Sequence, residues 1–202
     1  MARPLRIKTH WFRDGQPRAA ADVASALSAT IWRTANHRIQ NLRQGRFDVA
    51  AGVAYVEVLV ELLCLLIVAA DRIAYRHDPG AWRVDFTTAL SQRTGELLRD
   101  SFDDLLGPAP GGGYRHRFVE HLNRRAAEYA EFGYGPDGPD FALLRHFGAM
   151  VADLMQDPDD RRWALDQAMT VEGPEGVDVV ERAMRGLLGV DPKPRRSSLA
   201  GD

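Results

Sequence analysis

Two glutamates, Glu57 and Glu61, stand in the most apolar stretch of the sequence and are its only charged residues between Val49 and Ala70. They are four residues apart, so on a helix their carboxylates share one face. In such surroundings a carboxylate must be hydrated, paired, protonated or bound to a metal, because burying it bare costs too much. Two chemistries answer that need. The expected one is structural: the pair lines a wet groove or meets Arg33, His37 or Arg38 of the preceding helix. The alternative is an all-α enzyme that uses Mg²⁺ on a phosphorylated small molecule, with Glu57 and Glu61 as ligands and Asp71 or Glu128 assisting.

Known metal spacings do not strengthen the alternative. All-α nucleotide pyrophosphatases hold magnesium on two short acidic motifs at close spacing, and Glu57/Glu61 and Glu128/Glu131 do not reproduce that pattern. Four-helix di-iron sites need Glu-x-x-His on two helices, and the chain contains none. Two D-x-x-x-D matches, Asp100 to Asp104 and Asp153 to Asp157, resemble the magnesium-diphosphate motifs of helical isoprenoid synthases. They are also what 28 acidic residues produce by chance, and Asp157 abuts Pro158. His121, Arg125 and Glu128 read as a polar face within one helix.

Covalent chemistry has less to work with. Cys64, the only cysteine, sits in Leu62-Leu63-Cys64-Leu65-Leu66, where a thiol is most simply a small core hydrophobe. The sequence has no Gly-x-Ser-x-Gly and no phosphate-binding loop, since the glycines of 107–113 lack the Lys-Ser/Thr ending. The balance of the residues is against an enzyme, and no cofactor is expected outside the Mg²⁺ alternative.

The elements that must position these residues are helices. Val23, Leu27, Ile31, Ala35, Ile39 and Leu42 recur every three or four residues and predict a helix over 20–44. A longer helix is predicted over 48–77, stopped by Asp78-Pro79-Gly80. Further helices are expected over 84–106, with Phe86, Leu90, Leu97, Phe102 and Leu105/Leu106 on its apolar face, and over 114–132. Asp140 is a good N-cap for 141–155, and two shorter helices follow at 159–171 and 174–188. No stretch alternates like a strand. The expected fold is therefore an all-α bundle of about seven helices around a long, largely buried central helix. Residues 1–19 are expected to form a basic N-terminal arm, 20–190 a single helical domain, and 191–202 a disordered tail. The central helix is long enough to cross a bilayer, but two mid-span glutamates argue for a core helix instead.

Charge divides unevenly along the chain. Residues 1–46 carry net +7 and the remainder net -9, which sum to the overall -2. Arginines of the arm and first helix, interleaved with Trp11 and Phe12, are suitable materials for nucleic acid. The chain as a whole is slightly acidic, however, so an internal or protein partner is the simpler expectation. The aromatics around GYGPDGPD, among them Phe132, Tyr134 and Phe141, either pin two helices together or form a contact surface. One cysteine and no apolar leader point to a cytoplasmic protein. The expected function is that of an accessory, adaptor or regulatory binding protein, in a homodimer that buries the central helix or with a protein partner. Trp11, Phe12, Arg33, Arg38, Phe132 and Tyr134 are the expected contacts.

Overall fold

The apolar stripe of the first helix does what its spacing requires. In the computed structural model, which describes residues 18–44, 53–107 and 112–189, α1 spans Ala20–Gln44. Val23, Leu27, Ile31, Ala35, Ile39 and Leu42 are all buried along it. Asp22 lies in its first turn, where a carboxylate meets the positive end of the helix dipole. The second helix, α2, spans Val53–His77. Residues 61–70 are buried without exception, Glu61 among them. A helix apolar on all sides must be covered on all sides, and α2 packs against α1 and against helices from the rest of the chain. Its apolar length is thus covered within one chain, and a second copy would need another face. Among the described residues no helix is long and apolar enough to cross a membrane. Asp78 closes α2, its carboxylate accepting from the Gly80 amide at 2.7 Å.

Helix α3 spans Ala81–Leu106 and begins earlier than its apolar pattern predicts. Trp82 accounts for the difference. Its ring stacks on Phe86 at 5.2 Å, and its Nε1 donates to the Arg18 carbonyl at 3.1 Å. The buried ridge is Phe86, Leu90, Thr94, Leu98 and Phe102, every fourth residue. Leu97, expected on that ridge, is only half-buried beside it. Helix α4 spans Gly113–Tyr129, shorter at its end than expected. A tight antiparallel pair follows, β1 (Tyr134–Gly135) with β2 (Gly138–Pro139), which the sequence did not announce as strands. Gly138, at φ +98°, takes a backbone conformation closed to most side chains.

Asp140 then serves two structures. One carboxylate oxygen accepts from the Leu143 amide at 2.8 Å and caps α5, Phe141–Asp153, as the sequence predicts. The other accepts from the Gly133 amide at 2.9 Å and closes the base of the turn. Asp140→Ala should cost about 1–2 kcal/mol, at the upper side for a cap because two amides lose their acceptor. A urea titration checks this, and Asp140→Asn should recover most of the loss.

The last two predicted helices prove to be one rod. α6 (Pro158–Gln167) runs through a π-helical turn, Ala168–Glu172, into α7 (Gly173–Leu188). Asp157 caps its start, accepting from the amides of Asp159 at 2.8 Å and Asp160 at 3.3 Å. At its far end Arg18 donates to the carbonyls of Leu187 and Gly186. A Cβ on Gly148 of α5 would lie 2.7 Å from the Leu165 carbonyl oxygen, so glycine is what lets α5 approach α6. One connected cluster of buried apolar residues draws members from every helix. Residues 1–17 of the arm and the tail beyond 189 lie outside the described residues.

Candidate functional site

Along α4, His121, Arg125 and Glu128 occupy positions i, i+4 and i+7, one face of a helix. The structure turns that face toward α2, where Glu61 is only 2% exposed. Arg125 grips Glu61 with two groups: Nε donates to Oε2 and Nη2 to Oε1, each at 2.8 Å. His121 Nε2 lies 2.8 Å from Oε1 of the same carboxylate, and Arg124 Nη2 lies 2.8 Å from His121 Nδ1. A guanidinium only donates, so Nδ1 accepts and Nε2 carries the proton that goes to Glu61. This assigns the neutral Nε2–H tautomer from its neighbours. The remaining Arg125 nitrogen, Nη1, donates to Glu128 Oε2 at 2.7 Å, and His146 of α5 meets the same oxygen at 3.0 Å. Ion pairs therefore join α2 to α4, and a hydrogen-bond contact extends the chain to α5.

The electrostatics follow from that geometry. Burial pushes the Glu61 carboxyl upward, but hydrogen bonds from His121 and Arg125 outweigh it and hold it below the ordinary value. Glu128 is lowered in the same way: burial opposes, and His146 and Arg125 prevail. The Cys64 thiol is driven up by complete burial and by the Glu61 charge, so it stays protonated and has no nucleophilic character. Tyr129 is also driven up by burial and by Glu61. Among the described residues its hydroxyl has no hydrogen-bond partner, while its carbonyl accepts from Arg72 Nη2 at 3.0 Å. With both oxygens of Glu61 held by donors on α4, this seam clamps α4 onto α2.

His146 connects the seam to the surface. Its ring packs against Tyr129 edge-on at 5.6 Å and against Phe132 at 5.1 Å. It also lines an open pocket of about 330 Å³ with Phe132, Phe141, Ala142, Arg145, Ala149 and Leu165. Phe141 is 68% exposed, the most exposed of the large apolar side chains described.

The residues singled out from sequence are distributed as follows. Trp11 and Phe12 lie outside the described residues. Arg33 is exposed on α1, its Nε donating to the Ala29 carbonyl at 3.3 Å. Arg38 pairs with Glu172 at 3.4 Å and with Glu175, both on the rod. Buried Glu172 also accepts from Gln167 at 3.1 Å and Asn41 at 3.4 Å. Phe132 is half-buried in the pocket wall. Tyr134 donates its hydroxyl to Glu181 at 2.8 Å, and Arg76 lies over its ring at 5.4 Å.

The four acidic residues of the magnesium alternative are not gathered into one ligand set. Glu57 is exposed. Asp71 is held by Arg83, through Nε at 2.8 Å and Nη2 at 2.6 Å, and by the Thr87 hydroxyl at 2.8 Å. Glu61 and Glu128 do meet, but with the Arg125 guanidinium between them. Among the described residues no group of three or more His, Cys, Asp or Glu side chains is placed to hold a metal ion. The expected partners of Glu61 on α1 are replaced by α4, because Arg38 is drawn to the rod. His121 and Arg125 were visible as a polar face; that the face points inward was not. Arg145 and His146 had no signal of their own.

Fold and site together define an all-α bundle with an ion-paired internal seam and an aromatic pocket at its surface. No family model, curated protein or solved structure matches the chain.

Proposed function

We propose that this protein is a helical-bundle binding protein that acts through protein–protein contacts, with the pocket around Phe132 and Phe141 as its working surface. The observation that carries the reading is Phe141, a large aromatic ring 68% exposed at the mouth of a pocket whose wall is Phe132. Aromatic anchors on a concave patch are where binding energy concentrates in protein interfaces. The neighbouring seam serves the fold: Arg125 pairs with both Glu61 and Glu128, which favours a scaffold over a reaction centre. Tyr134, with its hydroxyl on Glu181 and its ring under Arg76, supports the surface by fixing the hairpin beside it.

The test is recovery of a partner from the host with an affinity-tagged full chain. A defined protein should co-purify with the wild type and be reduced about ten-fold or more by Phe132→Ala with Phe141→Ala, the loss expected of an anchor pair. Glu57→Gln, at an exposed carboxylate outside the pocket, should leave recovery unchanged. Equal recovery with the Phe132/Phe141 variant would remove the pocket from the interface, and recovery of no specific partner would sink the reading.

A further inference from the structure

The pocket's own chemistry narrows what it can take. Ala142, Arg145, His146 and Ala149 sit at i, i+3, i+4 and i+7 on one face of α5. Phe132 and Leu165 contribute from the neighbouring elements, and the open pocket has a volume of about 330 Å³. That is at the small end for a ligand cavity and suits one side chain more than a cofactor. Two alanines keep the space open, while rings and a leucine make it apolar. Among the described residues no carboxylate lines it. His146 directs Nε2 to Glu128 and so presents a ring. Arg145 is different: its exposed side chain has neither an ion pair nor a hydrogen bond among the described residues. A lone exposed guanidinium beside an apolar slot sets the sign of the complementary charge.

We propose that the occupant is an acidic segment of a partner protein, which inserts one aromatic or leucine side chain into the pocket and pairs a neighbouring carboxylate with Arg145. The proposal rests on the protein-binding reading above and adds the chemistry of the partner. Apolar burial supplies the anchor, and the carboxylate fixes which way the segment lies, since a guanidinium binds it through a planar fork.

Two fluorescein-labelled twelve-residue peptides test this on the full chain, one with a central Phe flanked by aspartates and one with the same Phe flanked by asparagines. The aspartate peptide should bind about three- to five-fold more tightly, the size expected for an exposed ion pair. It should shift the amide resonances of residues 141–149. Arg145→Gln should abolish the difference between the peptides, and Phe141→Ala should weaken both by about ten-fold. Equal affinity of the two peptides, resonance shifts confined to another surface, or no binding of either would overturn the proposal. So would 3-phenylpropionate binding as tightly as the aspartate peptide, which would assign the pocket to small carboxylates. If the host partner depends on Phe132 and Phe141 but is indifferent to Arg145→Gln, the docking surface stands and the acidic anchor falls. If no host protein depends on Phe141, the earlier reading falls whichever peptide binds.

Discussion

Replacing Glu61 with alanine should cost the chain about 3–5 kcal/mol, because it leaves Arg125 charged and buried without its carboxylate. The Arg125 side chain is only 14% exposed, so water replaces only part of what Glu61 supplied. Glu128 remains on Nη1 but is itself shared with His146. The loss should be mostly a penalty for the abandoned charge and not a measure of what the pair contributes. A second variant separates the two. Glu61→Leu with Arg125→Leu removes both charges and should return most of the stability, since buried ion pairs exchanged for apolar pairs are often neutral. Urea denaturation at neutral pH reads both. A loss under about 1 kcal/mol for Glu61→Ala would mean that the pair behaves as a solvated surface pair.

The same pair gives the chain an acid sensitivity of known sign. Glu61 and Glu128 are both held below the ordinary glutamate value of 4.5 in the folded state. A carboxyl with a depressed folded pKa stabilises above its unfolded value, and that contribution is lost as pH falls through the folded value. Wild type should therefore lose stability as pH falls below about 4.5. Glu61→Gln has no proton to gain at that position and should lose less, so the gap between the two narrows as acid is added. A gap that stays constant from pH 7 to pH 3 would show that Glu61 does not titrate with the seam intact.

How far the sequence carried these conclusions depended on the kind of information each needed. The face of α1 was legible because six apolar residues repeat with helical period over the whole helix, and a period fixes a face. The cap at Asp140 was legible because capping is local chemistry. The partner of Glu61 was not, because periodicity says which residues share a face and nothing about which helix lies opposite. Arg33, His37 and Arg38 were expected because they stand on the helix that precedes α2, yet order along the chain does not set bundle contacts. Arg38 found Glu172 and Glu175, and Glu61 was left to α4. The early start of α3 escaped notice because Trp82 earns its helical place through Arg18 and Phe86, not through a repeat. In the pocket, Phe132 and Phe141 were visible as aromatics, but their concavity depends on where Leu165 of the rod arrives.

The π-turn begins three residues beyond Leu165, and Phe147 is where its packing can be measured. Phe147 is fully buried. Its ring lies 3.2 Å from where a Cβ on Gly173 would stand, so the missing side chain of Gly173 makes room for the ring. Phe147→Ala empties that space and should cost about 3–5 kcal/mol, the range for deleting a buried aromatic ring. Gly173→Ala attacks the same contact from the other side. Its methyl would meet the ring and would also lie 2.9 Å from the Ala168 carbonyl oxygen, which accepts from the Gly173 amide across the π-turn. Overpacking of this kind costs about 1–3 kcal/mol. The double variant should be better than the sum of the two, because the alanine methyl partly fills the space the ring vacates, with a coupling of at least about 0.5 kcal/mol. It should not return to wild type, because the clash with the Ala168 carbonyl is indifferent to Phe147. The π-turn can relieve that clash by reverting to regular α-helix, which has 3.6 residues per turn. Such a reversion would rotate α7 by roughly 100° relative to α6, carrying Glu172 away from Arg38 and Asn41. Strict additivity of Phe147→Ala and Gly173→Ala would separate the ring from the turn. Full recovery in the double variant would show that the ring alone, and not the carbonyl, requires glycine at position 173.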